Sequence, residues 1–165
     1  MKILLAADGS RHTKLAAQHL VRHAGWYAVP PEIHVLHVRA PIPYPRAESI
    51  AGKSAVETYQ REESQAALAV AESELRAAKV TLRSAWVVGD VAREIDRYVK
   101  ANGIDLVVMG SHGHGAFVNL ALGSVATKCI ATLEVPVMIV RVAAPQNPTA
   151  RSAPAAATVP SNATP

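Results

Sequence analysis

Five short apolar runs divide the chain, and between each run and the next lies a segment whose apolar residues recur at helical spacing. The runs are Ile3 to Ala7, Ile33 to Val38, Val80 to Val88, which alternates only loosely, Ile104 to Met109 and Val135 to Val142. Most are too short for a helix and lack the polar alternation of a half-exposed strand, so they predict strands buried on both faces. Ala16, Ala17, Leu20, Val21 and Ala24 mark the first helical face, and Leu68, Ala71, Leu75 and Ala78 mark the second, in a helix predicted from Glu57 to Lys79. Val91, Ile95, Tyr98 and Val99 follow, then Val125, Ala126, Cys129, Ile130 and Leu133. Such alternation predicts an α/β fold: a single domain with an open parallel five-stranded sheet and helices on both faces. Right-handed crossovers favour the strand order 3-2-1-4-5. In that order the chain reverses direction between strands one and four, and ligands bind in the crevice at their carboxyl ends.

Composition agrees with one core. At 165 residues, half of them hydrophobic and few aromatic, the chain builds its interior from Val, Ile, Leu and Ala. The formal charge of +4 is scattered among acids rather than gathered in a run, which argues against a nucleic-acid surface. A single cysteine, Cys129, excludes an internal disulfide and fits a reducing compartment, so a cytoplasmic protein is expected. Asp8 interrupts the first apolar run before it reaches signal-peptide length, and no stretch is long enough to span a membrane. The domain is expected over residues 1–142. From Ala143 to Pro165 the composition shifts to Ala, Pro, Thr, Ser and Asn, a tail expected to be disordered.

Chemistry concentrates where the fourth run ends. Met109-Gly110-Ser111-His112-Gly113-His114-Gly115 places three glycines beyond a buried strand, and Gly123-Ser124-Val125 opens the next helix. Glycines let a backbone turn sharply and aim several N–H groups at one point. A helix start adds N–H groups with no intrahelical acceptor, so the pair forms an anion site suited to a phosphate chain. Asp8, at the end of the first strand beside Ala7, falls at the same expected crevice.

The spacing Gly110-x2-Gly113-x9-Gly123-Ser124 resembles the universal stress protein family, and its nucleotide-binding branch in particular. The first strand ending Asp8-Gly9-Ser10, the second ending His37-Val38, and Gly89 before the third helix carry the same resemblance, which covers Met1 to about Val142. The resemblance implies that Asp8 sits against the nucleoside and that Val38 offers backbone contacts to adenine. It further implies that Met109 and Gly110 pack near the ribose, and that Gly113, Gly123, Ser124 and Val125 hold the phosphates. His112 lies within reach of phosphate in the same loop. Where the family often carries a basic residue after the loop, this chain has Ala116-Phe117-Val118-Asn119. The cofactor expected is ATP with Mg²⁺ between its phosphates, Asp8 engaging the sugar or the metal.

Other motifs read more plainly. Ala51-Gly52-Lys53-Ser54 lacks the glycine a P-loop needs at Ala47 and follows a Pro-rich stretch rather than a strand, although Lys53 or Arg46 has the charge to close over a phosphate. The segment from Pro41 to about Val56 is longer than an ordinary connection. His12, His19 and His23 lie along one helix stripe, a metal-like spacing more typical of a solvated border. His37 reads as a satisfied core histidine and Cys129 as an inert buried thiol. The final strand, Val135 to Val142, carries no charge between Pro136 and Arg141, which predicts a sheet edge that pairs with a second copy, and the resemblance also implies a homodimer. With Asp8 the one acid near the loop and no arginine in it, the function expected is an ATP-dependent switch or sensor of the stress response, acting on an unknown protein partner. The alternatives are a slow ATPase or self-phosphorylating enzyme, and an interaction module that binds no nucleotide.

Overall fold

The computed structural model describes residues 1–41, 52–76, 78, 80–113 and 122–141. Its elements are β1 (Lys2–Ala6), α1 (Arg11–Arg22), β2 (Glu32–Arg39), α2 (Lys53–Arg76), β3 (Thr81–Val88), α3 (Val91–Asn102), β4 (Leu106–Gly110), α4 (Ser124–Thr132) and β5 (Val137–Val140), with a 3-10 turn at Ala24–Trp26. All strand pairs are parallel and the order is β3-β2-β1-β4-β5, as expected from right-handed crossovers. The register sets Leu4 between His34 and Val107, and Ala6 between Leu36 and Met109.

Strand geometry explains why the apolar runs lack a period. Successive side chains point to opposite faces, and both faces are covered at β1, β2 and β4, whereas the loosely alternating edge strand β3 leaves Thr81, Arg83 and Ser84 exposed. Ile3, Leu5, Ile33, Val35 and Val108 pack with Leu20 of α1 and Leu75 of α2. Leu4, Leu36, Val107 and Met109 pack with Ile95 and Val99 of α3 and Cys129 of α4. The second group includes the thiol, whose pKa burial pushes up to about 11, consistent with an inert side chain.

Helix boundaries follow local chemistry. Ser10 caps α1 by accepting from the N–H groups of His12 and Thr13. Asp90 caps α3 through the Arg93 N–H at 3.1 Å, and Gly103 ends that helix in the left-handed region at φ 61°. Because the Ile104 N–H closes back on Val99 O, β4 starts at Leu106 rather than at Ile104. The second helix begins at Lys53, several residues earlier than its apolar pattern predicts. Its first turns project into solvent, so they carry no apolar stripe to read, and the boundary is set instead by Gly52 at φ 81°.

Several expectations lie outside the described residues: most of the segment from Pro41 to Val56, including Arg46; His114 and the stretch Ala116-Phe117-Val118-Asn119; and Val142 with the tail beyond it. Among the described residues, no helix is long and apolar enough to cross a membrane.

Candidate functional site

At the carboxyl ends of β1 and β4 the two central strands diverge toward helices on opposite faces, and the gap is a cavity of about 500 Å³. Its floor is apolar, built from Ala6, Leu36, Val38, Ile95 and Met109. Its far end is polar, formed by Asp8, His112, Ser124 and the backbone at Gly110, Gly113 and Gly123. Thus Ala7, Asp8, Val38, Met109, Gly110, His112, Gly113, Gly123, Ser124 and Val125, all singled out in the sequence, line one space.

Asp8 is held by its own turn. Its Oδ1 accepts from the Ser10 N–H at 2.9 Å and from the Thr13 hydroxyl at 2.7 Å, while the same hydroxyl accepts from the Asp8 N–H at 3.0 Å. This ring of bonds fixes the carboxyl so that Oδ2 points at Gly113, where a Cβ would collide with it. Gly110 meets a similar limit on its other side, since a Cβ there would overlap the Cβ of His12. Gly110 is therefore required by close approach to the α1 backbone rather than by an unusual φ, whereas a side chain at position 113 would have to displace the braced carboxylate.

The two halves of the polar end are tied together by the Gly123 N–H, which donates to Ser111 O at 2.8 Å. Gly123 provides no side chain to cap α4, so the N–H groups of Ser124, Val125 and Ala126 open toward the cavity side of the helix start without intrahelical acceptors. Such a helix start carries partial positive charge and favours an anion. Next to it, Ser111 Oγ lies 3.1 Å from His112 Nδ1, and the His112 and His12 rings are 5.6 Å apart. Burial first, then Arg11 and His112, hold the His12 imidazole below its ordinary pKa despite the opposing pull of Asp8.

Val91, Ile95 and Ala126, which the sequence marks only as core faces, also line the cavity, as does Thr13, which the sequence pattern does not single out. A residue on an apolar helix stripe reads the same whether it packs on protein or borders a cavity. Thr13 had a weak signal, a hydroxyl five residues after Asp8 and one turn inside a helix. By contrast, Gly52, the one described glycine of the P-loop-like stretch, does not line the cavity. His37 donates its Nδ1–H to Ala7 O at 2.8 Å, the satisfied role expected for it. His19 and His23 stand at the opposite end of α1 from Ser10 and take no part in the cavity.

A family model described as Universal stress protein family matches residues 1–141. A universal stress protein of Thermus aquaticus is 33% identical over 139 residues, covering 84% of this chain and 97% of its own. One from Synechocystis is 30% identical over 140 residues; the match covers 85% of this chain but 42% of that longer protein. Among solved structures, the hypothetical protein MJ0577 superposes with a TM-score of 0.69 at 26% identity, covering 86% of this chain and 95% of that one. An Arabidopsis thaliana universal stress protein family protein with AMP bound has a TM-score of 0.62 at 19% identity, covering 90% and 98% of the two chains. A universal stress protein of Archaeoglobus fulgidus in complex with dAMP has a TM-score of 0.59 at 18% identity, covering 84% and 96%. With the family model spanning all five strands and every described residue of the cavity, this chain belongs to the universal stress protein family.

Proposed function

We propose that this chain binds ATP in the cavity between β1 and β4 and acts as a nucleotide-dependent switch in a stress response. The observation that carries the reading is the continuity of an apolar floor with a polar end of glycine backbone and helix start, a shape that suits a base at one end and phosphates at the other. In this reading Val38 meets adenine through its backbone, Ala7, Met109 and Gly110 border the ribose, and Gly113, Gly123, Ser124 and Val125 hold the phosphates with His112 beside them. The adenine nucleotides named with the Arabidopsis and Archaeoglobus relatives support the same class of ligand.

Asp8 is the one carboxylate among the described lining residues. Mg²⁺ is usually held by one or two carboxylates together with phosphate oxygens and water, so a single fixed carboxylate beside the phosphate end fits it. When bound, Mg²⁺ would offset phosphate charge. Asp8 orients toward the sugar or that ion, and the cavity floor shields the base from water. No arginine lies among the described lining residues to stabilise charge during phosphoryl transfer, which favours a switch over rapid hydrolysis.

We further propose a homodimer formed by the exposed edge of β5, the last strand of the sheet, in a protein that acts in the cytoplasm.

The test is extraction of nucleotide from the purified protein, followed by calorimetric titration of the emptied protein with Mg-ATP. Recovered ATP, or saturable binding of added ATP, is expected. Recovered ADP with steady phosphate release would favour a slow ATPase, and absence of both nucleotide and binding would overturn the reading.

A further inference from the structure

The far end of α1 carries a second cluster of chemistry-bearing side chains that the cavity does not use. His19 and His23 are one helical turn apart and their ring centroids are 4.1 Å from each other, with planes tilted by 36°. The Trp26 ring lies 4.1 Å from that of His23 and meets His19 edge-on at 5.7 Å. Trp26 itself is 65% exposed, so the group sits at the surface and is open to small solutes.

Hydrogen bonding decides which ring nitrogen of His23 is available. The His23 backbone N–H donates to His19 O at 3.0 Å, and the ring Nδ1 is 2.8 Å from the same oxygen. A carbonyl oxygen accepts but cannot donate, so Nδ1 carries the proton. In the neutral ring, Nε2 then keeps its lone pair. This is the arrangement by which a backbone carbonyl orients a metal-ligating histidine and fixes its tautomer.

We propose that His19 and His23 together bind a divalent transition-metal ion of the copper and zinc type. Two imidazoles one turn apart on a helix chelate such an ion, and water completes its coordination because no group of three or more metal-ligating side chains occurs among the described residues. The donor set selects the class of ion. Imidazole suits Cu²⁺, Ni²⁺ and Zn²⁺, whereas Mg²⁺ and Ca²⁺ require oxygen ligands that this pair does not supply. Cu²⁺ should bind tightest of the divalent series. The site is separate from the proposed nucleotide site, since His19 and His23 lie about 14 and 20 Å along the axis of α1 from its cap Ser10, and neither lines the cavity.

The experiment titrates Cu²⁺ into the full-length protein in a non-coordinating buffer, following tryptophan emission and the electron paramagnetic resonance spectrum. Quenching that is largely lost in Trp26→Phe is expected, together with coupling to two imidazole nitrogens. His19→Gln and His23→Gln should each weaken binding by roughly tenfold or more. An excess of Mg²⁺ should not compete. Circular dichroism melting of each variant identifies any that fail to fold; His19→Gln leaves the backbone bond at the helix end intact and is the decisive variant. Wild-type Cu²⁺ affinity in folded His19→Gln, or a wild-type spectrum with fewer than two coupled nitrogens, would overturn the proposal. Because no nucleotide enters the titration, its outcome does not depend on the reading of the cavity.

Discussion

The carboxylate of Asp8 and the α-carbon of Gly113 face each other so closely that position 113 has no room for even a Cβ. The contact joins the turn after β1 to the loop after β4, and it lies at the polar end of the cavity. Since Asp8 is braced by Ser10 and Thr13, a side chain at position 113 must displace the loop, the carboxylate, or both.

Gly113→Val should therefore weaken Mg-ATP binding by roughly a hundredfold, equivalent to about 2.7 kcal/mol, while leaving the far-UV circular dichroism spectrum unchanged. Titration calorimetry checks it. Affinity equal to that of the wild type would remove the loop from the binding site.

A buried polar chain at the other end of the sheet supplies a stability test. His34, only 2% exposed, has Nε2 at 3.2 Å from Glu32 Oε1 and Nδ1 at 3.0 Å from the Tyr98 hydroxyl. The carboxylate accepts, so Nε2 donates, and in the neutral ring Nδ1 accepts from Tyr98. Tyr98→Phe keeps the ring but leaves a buried acceptor without its donor, at a cost of about 1–3 kcal/mol. Urea denaturation reads the loss directly; a midpoint equal to that of the wild type would show that the bond contributes nothing net.

Cys129 predicts a loss of stability at high pH. In the unfolded chain the thiol ionises near 9.0, whereas burial, with a smaller contribution from Asp90, holds it protonated to about 11 in the folded protein. Between those values the folded state binds more protons than the unfolded state, so this contribution is full below the lower value and declines as pH rises toward the upper one. In Cys129→Ala the decline should be shallower across that window, measured by denaturation at a series of pH values. An identical pH dependence in the two proteins would count against a buried protonated thiol.

The proposed dimer makes a prediction about the edge of β5. Val107 N donates to Pro136 O and Ser111 N to Val140 O, so alternate residues of β5 turn their backbone toward β4. Val137 and Ile139 then turn theirs to the open edge. Light scattering at micromolar concentration should give twice the chain mass of 17.4 kDa. Ile139→Pro, which removes an outward N–H without deleting a bond to β4, should shift the protein toward monomer. A monomeric wild-type protein would overturn the interface.

Much of the architecture was legible because burial on two faces leaves a simple mark. Leu106 to Met109 is apolar throughout since Val107 and Met109 enter one core while Val108 enters the other. The start of α2 was not legible, because its first turns are solvated and apolar periodicity reports packing rather than helix. Nor were Val91 and Ile95 legible as cavity walls. Their spacing places them on the inner face of α3, and spacing cannot distinguish a packed neighbour from an open space.

Local sequence determined the number and type of elements, the caps at Ser10 and Asp90, and a strand-to-helix loop rich in glycine. These depend on backbone conformation and on partners a few residues away. Tertiary structure decided which of those features meet. It set Asp8 against Gly113, donated the Gly123 N–H to Ser111, and closed an apolar floor beneath them. Each of these relations depends on strands far apart in sequence being hydrogen-bonded in one register, and that register is selected by the packing of the whole sheet against its helices.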